Sequence, residues 1–164
     1  MTVEDKFLEE LNANIGIVHR VCRVYATDRD EREDLFQEIV FQLWRSFPGF
    51  QETAKFSTWM YRVALNTAIG GLRRQYRTIK KEPLTEKSQS VLADEPDHDD
   101  EHLELLYEAI SELSPIEKAI TMLHLDGDDY EQIAAVVGIT ANNVSVKLVR
   151  IRKKLEMRLK TKMN

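Results

Sequence analysis

The feature that most limits the fold is an interruption. Residues 78–102 show no helical period, contain Pro83 and Pro96, and turn from basic to acidic, with Asp94, Glu95, Asp97, Asp99, Asp100 and Glu101 in one cluster. On either side, apolar residues recur at spacings of three and four, the period of helices that bury one face. A chain of 164 residues divided in this way has room for two small helical units rather than one large core. The expected fold is all-α: a helical domain over residues 1–77, a flexible acidic linker over 78–102, and a second helical domain over 103–164.

Charge is sorted along the same lines. The formal net charge is −5, yet residues 51–82 hold seven Lys or Arg against two Glu, and residues 144–164 hold eight against one. Between residues 55 and 81 there is no acid at all. Two basic blocks isolated in an acidic protein suit two surfaces for a polyanion, of which nucleic acid is the commonest. Two merely solvated helical faces would produce the same counts.

Several classes fall away. No apolar run approaches the roughly 20 residues that span a bilayer, and no charged-then-apolar leader opens the chain, so a soluble, non-exported protein is expected. Cys22 is the single cysteine, which excludes an internal disulfide and fits a reducing compartment. His98 and His102 lie four apart among carboxylates, a pairing that an acidic tract yields by chance, and no metal or cofactor is expected. No nucleophile-and-base arrangement or phosphate-cradling loop argues for an enzyme or a small-molecule substrate.

Phe7, Leu8, Leu11, Ile15, Val18, Cys22 and Tyr25 predict an amphipathic helix or helix pair over residues 3–26, with Gly16 as the kink. Asp28, with Glu31 three residues on, predicts the cap of a second helix that Pro48-Gly49 ends. Its core face is Phe36, Ile39, Val40, Leu43 and Phe47. The opposite face carries Asp34, Gln37, Glu38 and Arg45 around an outward Phe41, the pattern of an aromatic anchor with a polar rim for a protein partner. Ser57 is expected to cap a third helix running to about residue 77. Met60, Tyr61, Ala64, Leu65, Ala68, Ile69, Leu72 and Tyr76 form its inner face. Trp59, Arg62, Asn66, Gly70, Arg73 and Arg77 line the other, just beyond Lys55. An indole, an amide and guanidiniums on one face offer stacking, base-edge and phosphate contacts to unpaired DNA. A buried Trp59 beside solubilising arginines is the alternative.

In the second unit, Ser114-Pro115-Ile116-Glu117 combines a Ser cap, Pro at the first helical position and Glu at the third, after a short helix over 103–113. Asp128 or Asp129 caps a helix over 130–137, and Thr140 caps a last one from Ala141 to about residue 159. Ile133, Ala134, Val137, Gly138, Ile139, Val144 and Leu148 have the spacing of a helix-turn-helix. On the final helix, Val144, Leu148, Ile151, Leu155 and Leu159 form an inner stripe. Asn143, Lys147, Arg150 and Lys154 project outward, placed to enter a major groove. At this level a promoter-binding factor, a helix-turn-helix regulator with an N-terminal dimerisation or sensing domain, and a protein-binding adaptor all remain open.

Over nearly its full length the chain resembles the extracytoplasmic-function (group 4) sigma factors of bacterial RNA polymerase. Asp34-Leu35-Phe36-Gln37-Glu38 and Leu43-Trp44 look like the core-binding segment of region 2. Phe56-Ser57-Thr58-Trp59-Met60-Tyr61-Arg62, Asn66 and Leu72-Arg73-Arg74 look like its promoter-melting and −10 segment. Leu113-Ser114-Pro115, Tyr130-Glu131-Gln132-Ile133-Ala134 and residues 144–155 look like region 4. The resemblance implies that Asp34, Gln37, Glu38 and Phe41 meet the β′ clamp helices of core RNA polymerase. It implies that Lys55, Trp59, Arg62, Asn66, Arg73 and Arg77 engage the −10 element, with Asn66 near an extruded base. It assigns Asn143, Val146, Lys147, Arg150 and Lys154 to the −35 element and region 4 to the β flap. It further implies a cytoplasmic protein restrained by an anti-sigma factor, in many relatives membrane-bound. Three departures from the family's habit stand out: Gly70 where Asp is frequent, Ser145-Val146 where Arg-Ser is frequent, and Ile151 where Ala is. Val146 can touch a thymine methyl but cannot make the polar contacts of Ser.

Overall fold

The computed structural model describes residues 2–52, 54–79 and 101–163, with side chains through Gly71 and again over 101–162. The chain forms two compact units. The first contains α1 (Val3–Ala13), α2 (Ile15–Tyr25), α3 (Arg29–Ser46), a 3₁₀ turn at Phe47–Gly49, and α4 (Phe56–Ile79). The second contains α5 (Glu101–Ser111), α6 (Pro115–Leu125), α7 (Tyr130–Val137) and α8 (Ala141–Met163). No strand occurs among the described residues. Most of the expected linker, residues 80–100 with His98, lies outside them; α4 and α5 take in its two ends.

The expected helix over 3–26 is a pair, and the break falls at Asn14 rather than at Gly16. The Asn14 side chain donates to the Glu10 carbonyl at 2.9 Å and so occupies a backbone acceptor at the end of α1. Gly16 lies inside α2. A capping box at the other end of α1, Thr2 with Asp5, was not anticipated from the sequence. Asp28 does cap α3, accepting from the Glu31 amide at 2.8 Å. The Glu31 carboxylate, however, reaches back to the amide and hydroxyl of Thr27 rather than to Asp28. Helix α4 starts at Phe56, before the expected Ser57 cap, with the Trp59 amide bonded to the Lys55 carbonyl at 3.2 Å.

The first core is built where α2, α3 and α4 meet. Val18, Val21, Ile39, Leu43, Met60 and Ala64 have no exposed surface, and Arg20 on α2 donates to the Tyr61 hydroxyl on α4 at 3.2 Å. Around the 3₁₀ turn, Phe47, Phe50, Phe56 and Trp59 gather with ring centroids 5.2–6.3 Å apart, Phe47 and Phe50 stacked and the other pairs edge-on or tilted.

The second core consists of Ala109, Ile110, Ile120, Leu123, Ile133, Val144, Leu148 and Ile151. Asp129, one of the two anticipated caps, forms a capping box with Gln132 at the start of α7. Helix α7 ends at Gly138, whose φ of +84° lets its amide and that of Ile139 both return to the Ala134 carbonyl. Thr140 then caps α8 by accepting from the Asn143 amide at 3.1 Å. The chain turns through 99° between α7 and α8, within the range of a helix-turn-helix.

Glu117 holds this unit together at a second point. One carboxylate oxygen accepts from the Ser114 amide at 3.0 Å as part of the α6 capping box, and the other accepts from Lys154 on α8 at 2.8 Å. Partial burial pushes the carboxyl upward. The bonds from Lys154 and Ser114, with the lysine's charge, outweigh that and hold it below the ordinary glutamate value. Further along α8, Arg158 pairs with Glu112 at 3.1 Å, and Lys162 with Glu108 at 3.1 Å and Glu112 at 3.7 Å.

Gly138→Ala should cost about 1–2 kcal/mol, because an added Cβ meets no atom within 4 Å and only the left-handed backbone opposes it. Urea titration of the full chain should show a lower midpoint by circular dichroism. The fluorescence transition of the first unit, which holds both tryptophans, Trp44 and Trp59, should not move. Glu117 generates a pH effect as well. Its depressed folded-state value means that its contribution is fully present above the unfolded glutamate value and is lost as pH falls through the lower folded one. Wild type should therefore be more stable than Glu117→Gln at pH 7, and the gap should close as pH falls from the ordinary glutamate value through the lower folded one. A gap independent of pH would exclude this account.

Candidate functional site

Three surfaces on these helices carry the chemistry. The first is an open apolar groove of about 520 Å³ between α1 and α3, lined by Glu4, Phe7, Leu8, Phe36, Gln37, Val40, Phe41 and Trp44. Phe41 is 56% exposed and Trp44 43% exposed, large fractions for aromatic side chains. Asp34 and Gln37 are exposed on the outer side of α3, and half-buried Glu38 accepts from Gln42 at 3.1 Å. Phe41 is thus part of a wall and not an isolated ring. Phe36 and Val40, placed in the core by periodicity, are only half-buried and face the groove. Trp44 entered the interface only through the resemblance to region 2, and Leu8 not at all, because a helical wheel cannot show that α1 and α3 leave a trough between them. Phe7 floors it, with its ring centroid 5.1 Å from Trp44 and 5.2 Å from Phe47. Such a trough, apolar inside and acidic at the rim, can receive a helix or loop from a protein partner.

The second surface is the outer side of α4. Lys55, Arg62 and Asn66 are exposed there, and Trp59 is half-buried. Of the two readings open for Trp59, the structure takes an intermediate one: its ring leans on Phe47, Phe50 and Phe56 and keeps one part accessible. An indole supported in this way is a rigid stacking platform. Lys55 also lines a cavity of about 410 Å³ with Lys6, Glu10, Phe50, Glu52 and Ser57. Glu52, which lines that cavity, is paired with Lys6. Their mutual hydrogen bond raises the lysine and lowers the carboxyl, so each stays charged and the pair is neutral as a whole. Gly70 and Gly71 continue the helix, and a Cβ at either would meet nothing within 4 Å. Nothing among the described residues calls for glycine there. Arg73 and Arg77 lie on the α4 backbone, and their side chains are outside the described residues.

The third surface is α8. Val144, Leu148 and Ile151 are buried, which turns Asn143, Val146 and Arg150 outward, all exposed, with Lys147 half-buried at their edge. Lys154 shares that side but is bound to Glu117. With Arg158 and Lys162, it makes three of the eight cations of residues 144–164 that pair with acids of α5, of α6 and of the turn between them. The basic character available to a ligand is therefore concentrated in the first half of α8, which is the part a helix-turn-helix inserts in the major groove.

Comparison with known proteins accounts for this sequence of surfaces. Residues 11–78 match the model of sigma-70 region 2, and residues 103–155 match that of sigma-70 region 4. Among curated proteins, an ECF RNA polymerase sigma factor, SigE of Mycolicibacterium smegmatis, is 28% identical over 144 residues, covering 84% of this chain and 55% of its own length. The ECF RNA polymerase sigma-E factor of Haemophilus influenzae is 29% identical over 143 residues, 80% of this chain and 76% of that one. Its counterpart in Escherichia coli is 27% identical over 135 residues, 75% and 71% of the two chains. Among solved structures, the sigma factor RpoE in complex with the anti-sigma factor NepR from Bartonella quintana superposes with a TM-score of 0.75 at 22% identity, over 94% of this chain and 97% of that one. CnrH in complex with the cytosolic domain of CnrY gives 0.67 at 17%, over 96% and 90%. Both structures share the fold. With region 2 and region 4 in that order across most of its length, the chain belongs to the sigma-70 family, as a factor of the extracytoplasmic-function type.

Proposed function

We propose that this protein is a transcription initiation factor, not itself an enzyme, that recruits core RNA polymerase to particular promoters and helps to open them. The observation that carries the reading is the pair of sigma regions, each coinciding with a surface of suitable chemistry. The groove between α1 and α3, with Phe41 as anchor and Asp34, Gln37 and Glu38 at its rim, receives the clamp helices of the β′ subunit. The outer side of α4 engages the −10 element as single-stranded DNA. Trp59 stacks on a base, Asn66 bonds an extruded base, and Lys55, Arg62, Arg73 and Arg77 hold phosphates. Asn143, Val146, Lys147 and Arg150 on α8 read the −35 element, while region 4 leans on the β flap. Lys154 contributes through its bond to Glu117, which orients α8. The working division is residues 1–77 for core binding and melting, 78–102 as linker and 103–164 for upstream recognition. The protein acts in the cytoplasm, where an anti-sigma factor, free or anchored in the inner membrane, restrains it. The anti-sigma partners named in the two solved complexes support that last element.

Purified protein added to core RNA polymerase should start transcription at a promoter that neither uses alone; the absence of a stable complex with core would refute the reading. Asp34→Ala combined with Glu38→Ala should weaken core binding by about tenfold, the loss of two polar contacts of roughly 0.7 kcal/mol each. The circular dichroism spectrum should be unchanged, because both side chains lie off the core. Arg150→Ala should cost about 1–3 kcal/mol in promoter affinity if its guanidinium grips a guanine, read as an altered base preference in the −35 element.

A further inference from the structure

The recognition helix exposes two valines that its fold does not need. Val146 is 43% exposed and Val149 is 53% exposed, whereas Val144, Leu148 and Ile151 on the same helix are buried. At 100° per residue, Val146 stands opposite the buried stripe, and Val149 stands beside it on the side away from Arg150 and Lys147. A single exposed apolar side chain is ordinary. Two at a spacing of three, in the first half of the second helix of a helix-turn-helix, are less so, since β-branched residues are weaker helix formers than the Lys, Arg and Glu that follow.

The surroundings point to one occupant. Lys147 and Arg150 flank the valines on one side, and Arg152 and Lys153 follow within a turn. A protein partner with an apolar face would have to tolerate that concentration of positive charge, whereas the DNA backbone is complementary to it. In the major groove the one apolar group on the base edges is the C5 methyl of thymine. Valine suits it well: its two methyls sit close to the helix backbone and its single preferred rotamer costs little entropy on contact. Residues three apart are separated by about 4.5 Å along the helix axis, comparable with the ~3.4 Å step between base pairs.

We infer that Val146 and Val149 form an apolar ridge that packs against thymine methyls of neighbouring base pairs in the upstream promoter element, with Arg150 and Lys147 supplying the polar contacts on the other edge of the helix. The inference rests on the promoter-recognition reading and adds to it a chemical basis for base choice. It makes the −35 preference of this factor depend on thymines at two adjacent steps. It also assigns a role to Val149, which periodicity alone had left unassigned.

The test uses the full chain with core RNA polymerase. Promoter duplexes are first enriched from a randomised pool, and each thymine of the upstream element is then replaced singly by deoxyuridine, which keeps the hydrogen-bonding edge and removes only the methyl. Wild type should lose about fourfold in affinity for each contacted methyl removed, the equivalent of one buried methylene. Val146→Ala and Val149→Ala should each abolish the sensitivity at one position, and their folding is protected because both side chains are exposed. An enriched duplex to which wild type binds equally well with thymine or deoxyuridine throughout would overturn the inference while leaving promoter recognition intact. Sensitivity that persists unchanged in the double variant would also overturn it. Failure to enrich any duplex would overturn the promoter reading, and this inference with it.

Discussion

Three helices meet over Val18, Val21, Ile39, Leu43, Met60 and Ala64, and everything the first unit can do follows from how small that core is. Each of α2, α3 and α4 contributes one face to it, and a bundle of this size has no further layer to cover the others. The outer sides of α3 and α4 therefore remain accessible, one acidic and aromatic, the other basic with an indole. The two surfaces point in different directions because they lie on different helices. They keep fixed geometry because the residues between them are wholly buried. The aromatic cluster at the 3₁₀ turn extends this arrangement: it braces Trp59 from behind and ties the start of α4 to the end of α3.

The second unit meets the same constraint with less apolar material and supplements it electrostatically. Its last helix has to present cations to a ligand and also stay attached to α5 and α6. It does so by dividing its length: the first half carries Asn143, Val146, Lys147 and Arg150 outward, and the second half spends Lys154, Arg158 and Lys162 on Glu117, Glu112 and Glu108. Exposed ion pairs of this kind contribute little singly. Glu117 differs, because its one carboxylate is shared between the α6 capping box and Lys154 and so links the start of one helix to the middle of another. Attachment through polar groups at defined positions sets the angle of α8 as well as its adherence, and that angle decides which side chains reach a groove.

Much of the helical plan was legible in the sequence because its signals are local. Asp28, Ser114, Asp129 and Thr140 cap the helices they were expected to cap, and Gly138 makes the turn, since each acts on amides within three residues of itself. The two departures have different causes, one local and one tertiary. Asn14 and not Gly16 divides α1 from α2, because a side chain that bonds a backbone carbonyl ends a helix more firmly than a missing Cβ bends one. The start of α4 falls before Ser57, whose capping signal is outweighed by burial of Phe56 against the aromatic cluster.

What the sequence by itself determined, then, was where helices form, which face of each is apolar, and the order of two sigma regions. These depend on periodicity, capping and residue identity within one stretch of chain. Only the tertiary structure decided which outward residues act together. It opened the groove that joins Leu8 on α1 to Phe41 and Trp44 on α3, and it set Trp59 halfway into a cluster that a wheel placed on open surface. It also withdrew Lys154 toward a glutamate 37 positions away. Contacts of that kind depend on the distance and angle between helices, which are set by how side chains from remote segments interlock, and no pattern along a single helix carries that information.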